Sequence, residues 1–174
     1  MIEARIAFID FEASSLSTNS WPIEAGWALI DHNQQIHSDS VLIRPDPSWP
    51  LEDWAAESAA IHQIDITELH KNGVTPLEAH YRLLGALSSR LIYSDAPRHD
   101  RQWLARLTEA AGAAASPLKI MPVGLLFQSN KLDEMLYDRK YRKLIKGRKH
   151  RAESDAVGWA QLYLDCFGGL GSCN

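Results

Sequence analysis

Asp10 and Glu12 stand two residues apart at the end of a short apolar run, Ile6-Ala7-Phe8-Ile9. Residues two apart on a strand project from the same face, so both carboxylates point to one spot. Like charges gathered at the end of a buried strand are costly unless one is protonated or a cation neutralises them, and hard divalent ions such as Mg²⁺ take such oxygen ligands. Asp-x-Glu also occurs on solvated strand edges, so the metal reading needs further acids.

His150 and Asp155 supply the next pair, in His-Arg-Ala-Glu-Ser-Asp-Ala. On one continuous helix a five-residue separation would set them about 140° apart, facing different sites. A helix starting near Ala152 instead leaves the histidine on the preceding loop and Asp155 in the first turns, from where both reach the strand end. Ala156, Trp159, Ala160, Tyr163 and Leu164 then form the apolar stripe that seats this helix on the sheet. A further acid lies in Ser-Asp-Ala-Pro-Arg-His-Asp-Arg-Gln-Trp-Leu, where a fourth strand crosses into a helix. Asp100, near that helix start, could serve only as an N-cap, and Asp95 at the strand end is the competing acid.

The elements that must hold these groups follow from pattern. Ala4 to Asp10 reads as a central strand covered on both faces, Ile23 to Ile30 as a second strand, Asp31 to Gln34 as a turn and Ile36 to Ile43 as a third strand. After Pro45, Pro47 and Pro50 the pattern becomes helical, over Leu51 to Ile61 and Ile66 to Leu69, with Gly73 as a stop. Leu77, Tyr81, Leu84 and Leu87 then recur at helical spacing. A fourth strand is expected over Arg90 to Ser94, a helix over His99 to Ala111 with Trp103, Leu104 and Leu107 inward, and a fifth strand over Leu118 to Val123. Helices over roughly Leu125 to Ile145 and Ala152 to Phe167 complete one mixed sheet flanked by helices.

The chain has 174 residues, 45% of them apolar and 23% charged, which fits a single globular domain over 1–167 with a flexible tail at 168–174. The start of the chain lacks the pattern of a signal peptide and no apolar stretch is long enough to span a bilayer, so no membrane partner is expected. Two cysteines, Cys166 and Cys173, fit free thiols in a reducing cytoplasm. The net charge of −4 averages over a strongly basic segment: Arg139, Lys140, Arg142, Lys143, Lys146, Arg148, Lys149 and Arg151 occur with no acid among them. Most charge runs are solvated surface, but this one ends on His150, which favours phosphate contact.

Taken in order, these motifs resemble the DnaQ-like (DEDDh) 3'-5' exonuclease family along nearly the whole chain. Asp10-Phe11-Glu12 matches its first motif, with Ser14-Ser15-Leu16 where the family often has Thr-Thr-Gly-Leu, and Pro22-Ile23-Glu24-Ala25-Gly26 resembles the following Ile-x-Glu-Ile-Gly strand. Ala60-Ile61-His62-Gln63-Ile64 is similar to its Ile-His-Gly-Ile segment. The second motif, commonly His-Asn-Ala-x-Phe-Asp-x-x-Phe-Leu, is approximated by Asp95 to Leu104, with an extra residue before the acid, Asp95 in place of asparagine and His99 in place of phenylalanine. Asp100 is aligned because Asp-x-x-Trp-Leu keeps its spacing. His150 and Asp155 meet the third motif, His-x-x-x-x-Asp.

This resemblance implies a ribonuclease-H-like fold and hydrolysis of terminal phosphodiester bonds of single-stranded RNA or DNA with two Mg²⁺ or Mn²⁺ ions. Asp10 would bridge the ions, Glu12 and Asp155 would complete the first site, and Asp100 would support the second. His150 would take the proton from the attacking water, a task suited to a group whose ordinary pKa of ~6.5 lies near working pH. Ser14, Leu16, Ile61 and His62 would meet the terminal nucleotide, and Lys143, Lys146 and Lys149 the phosphates. For Leu16 and Ile61 plain core packing is an equal alternative. A proofreading or regulatory subunit, or a non-catalytic nucleic-acid-binding homologue, are the competing functions, and a homodimer is one option for assembly.

Overall fold

A computed structural model of the chain describes residues 5–128, 134–147 and 150–167. The tail at 168–174, expected to be flexible, lies outside the described residues, as do Arg148 and Lys149.

Strand β1 (Ile6–Ala13) is central. It pairs antiparallel with β2 (Pro22–Ile30) and parallel with β4 (Leu91–Ser94); β3 (Ile36–Leu42) extends the β2 edge and β5 (Ile120–Pro122) the β4 edge. The sheet order is β3-β2-β1-β4-β5, a mixed five-stranded sheet. The unbroken apolar run in β1 is explained by cover on both faces. Ala7, Ile9 and Phe11 join one core with Trp21, Ile23 and Leu107, while Phe8 joins a second with Ala28, Trp159 and Ala160.

On the first face lie α3 (Pro76–Leu87) and α4 (Pro97–Ala110); on the second lies α7 (Ala152–Phe167), with α6 (Glu134–Lys146) packed against it. Of the stripe expected on α7, Ala156, Trp159 and Ala160 are buried and Tyr163 is half-buried against the second core; Leu164 is only half-buried and outside that core, and Leu162 is buried in it instead. Three short helices, α1 (Ala56–His62), α2 (Ile66–Asn72) and α5 (Gly124–Gln128), complete the described chain. Among the described residues no helix is long and apolar enough to cross a membrane.

Several boundaries differ from pattern for identifiable reasons. The single helix expected over Leu51 to Ile61 is instead a 3-10 turn, Leu51–Asp53, and α1, separated by extended backbone at Trp54 and Ala55. The Ala55 N–H donates to the Ser14 carbonyl at 2.9 Å, and the Trp54 ring packs against Trp21 and His62. Tertiary partners outcompete the helical ladder there. Helix α4 begins two residues earlier than expected, because Pro97 takes the first position, where a missing N–H costs nothing. Helix α3 is rotated: Ala79, His80, Leu83 and Leu87 are buried, while Leu77 and Tyr81 face solvent. Gly73 does end α2, and a Cβ there would lie 2.4 Å from the Leu69 carbonyl oxygen and 2.7 Å from the Arg44 nitrogen.

Candidate active site

Along β1, Asp10 and Glu12 follow Phe8 on the face that α7 covers, opposite to Ile9 and Phe11. Helix α7 starts at Ala152, with Asp155 in its first turn and 2% exposed; His150 precedes it with φ +49° and lies open to solvent. One carboxylate oxygen from each of Asp10, Glu12 and Asp155 lies within 4.8 Å of the others. Trans oxygens around Mg²⁺ stand about 4 Å apart, so small side-chain adjustments would bring all three onto one ion, and the all-oxygen donor set suits Mg²⁺ or Mn²⁺.

Asp100 reaches the same place from the other side of the sheet. Parallel pairing of β1 with β4 brings the ends of both strands together, and α4 leaves β4 through a short turn. Asp100 is fully buried in the first turn of α4 and accepts from the Ser94 hydroxyl. It is not the helix cap: that position is Ala96, which offers no side-chain acceptor. Asp95 is half-buried nearby. The electrostatic result falls on Asp10, whose carboxyl is held well above its ordinary range by burial first, then by Asp100, Glu12, Asp95 and Asp155. Such a site favours a proton or a cation at Asp10.

A cavity of about 250 Å³ opens over these groups. Its wall includes Asp10, Glu12, Asp100, His150 and Asp155, and also Leu16, Ile61 and His62. Leu16 and Ile61 are 74% and 53% exposed, so neither is a core side chain. His62 is buried; its Nδ1 accepts the Ile64 N–H at 3.0 Å, which places the ring proton on Nε2, and burial holds its pKa below the ordinary value.

Ser14 does not line the cavity. Its Oγ accepts the Trp21 N–H at 3.0 Å inside the fold, and the neighbouring Ser15 forms the wall instead. Ser15 and Ser17 donate to Asp53 at 2.6 and 2.8 Å, pinning the loop that carries Leu16. Lys143 and Lys146 are exposed on α6 and do not line the cavity either, and Lys149 lies outside the described residues. Sequence reasoning passed over His99 and Trp103, which line the cavity with their rings stacked at 5.5 Å. Only the histidine standing where the family has phenylalanine signalled that position.

No family model matches the chain, and no curated protein matches it either. Solved structures do. Exonuclease I of E. coli in complex with a dT13 oligonucleotide aligns with a TM-score of 0.66 at 10% identity, over 92% of this chain and 40% of that one. Its complex with a dA16 oligonucleotide gives 0.68 at 10% identity, again over 92% and 40%. The fold is shared with exonuclease I. A moderately thermophilic exonuclease I from Methylocaldum szegediense gives 0.64 at 10% identity over 92% and 40%. The mixed sheet with helices on both faces is thus the ribonuclease-H-like arrangement of these exonucleases. The chain spans about two fifths of the length of the exonuclease I chains it matches.

Proposed function

We propose that this chain is a metal-dependent 3'-5' exonuclease that removes nucleoside 5'-monophosphates from single-stranded nucleic acid. The observation that carries the reading is the convergence of Asp10, Glu12 and Asp155 within 4.8 Å in a cavity also walled by Asp100 and His150. Asp10, Glu12, Asp155 and Asp100 would hold two divalent ions, Mg²⁺ or Mn²⁺. When bound, the ions supply the Lewis acid that activates water and stabilises the departing 3'-oxygen.

The protein's own groups account for the rest. His150, beside the carboxylates and open to solvent, accepts the proton of the attacking water and passes it to bulk. Leu16 and Ile61 offer apolar surface to the terminal base and sugar, and the His62 Nε2–H a hydrogen-bond donor. The cavity lies just below the ~300 Å³ at which ligand clefts usually begin, which suits one splayed nucleotide rather than a duplex end. Lys143 and Lys146 attract the phosphates of the incoming strand from outside the cavity, and Lys149 adds its charge to the same basic run. The oligonucleotides bound by exonuclease I make single-stranded DNA the first substrate to try, with RNA beside it.

The test is incubation of purified protein with 3'- and 5'-labelled single-stranded DNA and RNA in Mg²⁺, Mn²⁺ or EDTA. Release of labelled monophosphate from the 3' end, abolished by EDTA, is expected; cleavage that survives EDTA or begins at the 5' end overturns the reading. A role as a proofreading or regulatory subunit would use the same site, and co-purification with a polymerase would distinguish it.

A further inference from the structure

Glu24 is an acidic side chain of which only 1% reaches solvent. It stands on β2 directly across the ladder from Glu12, and facing residues of an antiparallel pair share one side of the sheet, ~5 Å apart. Glu24 nevertheless does not line the cavity and is not among the charges that raise Asp10. Its acceptors are committed to the start of α7. Arg151 Nε donates to Oε2 at 3.0 Å and Nη2 to Oε1 at 2.8 Å, a two-pronged ion pair, and the Ala152 N–H donates to Oε2 at 3.1 Å.

The two residues so gripped follow His150 directly. His150 holds φ +49°, a conformation non-glycine residues keep only where their surroundings enforce it. Asp155 has an independent anchor, because Ala156, Trp159 and Ala160 seat its helix in the second core. His150 precedes that helix and has no such seat. We propose that Glu24 is a positioning residue for this site: its grip on Arg151 and Ala152 holds His150 at the wall of the cavity that Asp10 and Glu12 also line. The inference rests on the exonuclease reading.

Two variants test it. Glu24→Gln keeps size and an acceptor but removes the charge; Arg151→Lys keeps charge but loses the fork. At equal folded content by circular dichroism, each should lower kcat about 10- to 100-fold on 3'-labelled single strands, the usual effect of removing a group that orients a site residue. KM and the calorimetric affinity for Mn²⁺ should stay within about twofold, since neither substrate nor metal ligands are touched. In a His150→Ala background Glu24→Gln should cost no further activity, because groups acting as one unit are not additive. A full additional loss in that background, or Mn²⁺ affinity falling in step with kcat, overturns the proposal. Should Glu24→Gln fail to fold, Arg151→Lys carries the same cycle. If the wild type does not hydrolyse nucleic acid, the exonuclease reading fails separately; the positioning is then read in the imidazole NMR signals of His150. A shift or broadening in Glu24→Gln supports it, and unchanged signals overturn it.

Discussion

Gly26 is the direct cross-strand partner of Asp10, and the space where its side chain would stand is filled by the first turn of α7. A Cβ at Gly26 would lie 2.1 Å from the Glu153 nitrogen and 2.3 Å from the Ala152 carbonyl carbon. The missing side chain lets the helix that carries Asp155 settle beside the strand that carries Asp10. Gly26→Ala should therefore displace α7, with a stability loss of ~1–3 kcal/mol typical of overpacking. Urea unfolding measures the loss, and Mn²⁺ affinity should fall with it as Asp155 moves away. An unchanged midpoint would show that the helix does not approach as described.

The second-motif acids separate by burial. Asp100 is fully buried in the cavity wall, whereas Asp95 is half-buried and outside it. Asp100→Ala should bring turnover near background at equal folded content, and Asp95→Ala should act more mildly. The reverse order in a steady-state assay would reassign the acid.

Basic run and general base should separate in kinetics. Neutralising Lys143, Lys146 and Lys149 together should raise KM and flatten the salt dependence, by ~0.7 in log-log slope for each phosphate that no longer meets a positive charge, with little change in kcat. His150→Ala should instead lower kcat by ~10² to 10⁴-fold with metal affinity nearly kept. Normal binding by the triple variant across a salt titration would show that the substrate path lies elsewhere.

The metal requirement should depend on pH with a definite sign. In the metal-free protein burial and four neighbouring carboxylates hold Asp10 well above its ordinary range. A group whose folded pKa is raised stabilises fully below its unfolded pKa, and that contribution is lost as pH rises through the folded value. Above the ordinary carboxylate range the metal-free protein thus carries a growing penalty at this site, which a divalent ion relieves by replacing the proton. Mn²⁺ should raise the melting temperature more at pH 8 than at pH 5.5. An equal or smaller rise at pH 8, measured by calorimetry, would count against cation binding at Asp10.

Much of this arrangement was legible in the chain. The apolar run before Asp10 marked a strand covered on both faces, and the helix start near Ala152, the condition for His150 and Asp155 to share one site, is observed at Ala152. The interrupted Leu51 to Ile61 segment was not legible, since the Ala55 N–H goes to the Ser14 carbonyl, far away in sequence. Nor was the face of α3, where two apolar stripes compete and packing selects Ala79, Leu83 and Leu87 over Leu77 and Tyr81.

Local periodicity and charge spacing by themselves determined the order of elements and the strand end at which Asp10 and Glu12 stand, because both depend on short-range backbone geometry. Which serine faces the cavity, which acid near β4 enters it, and how Glu24 meets Arg151 across 127 residues were decided only by tertiary structure. Those pairings depend on where β2 and α7 come to rest, and a one-dimensional pattern says nothing of the space between them.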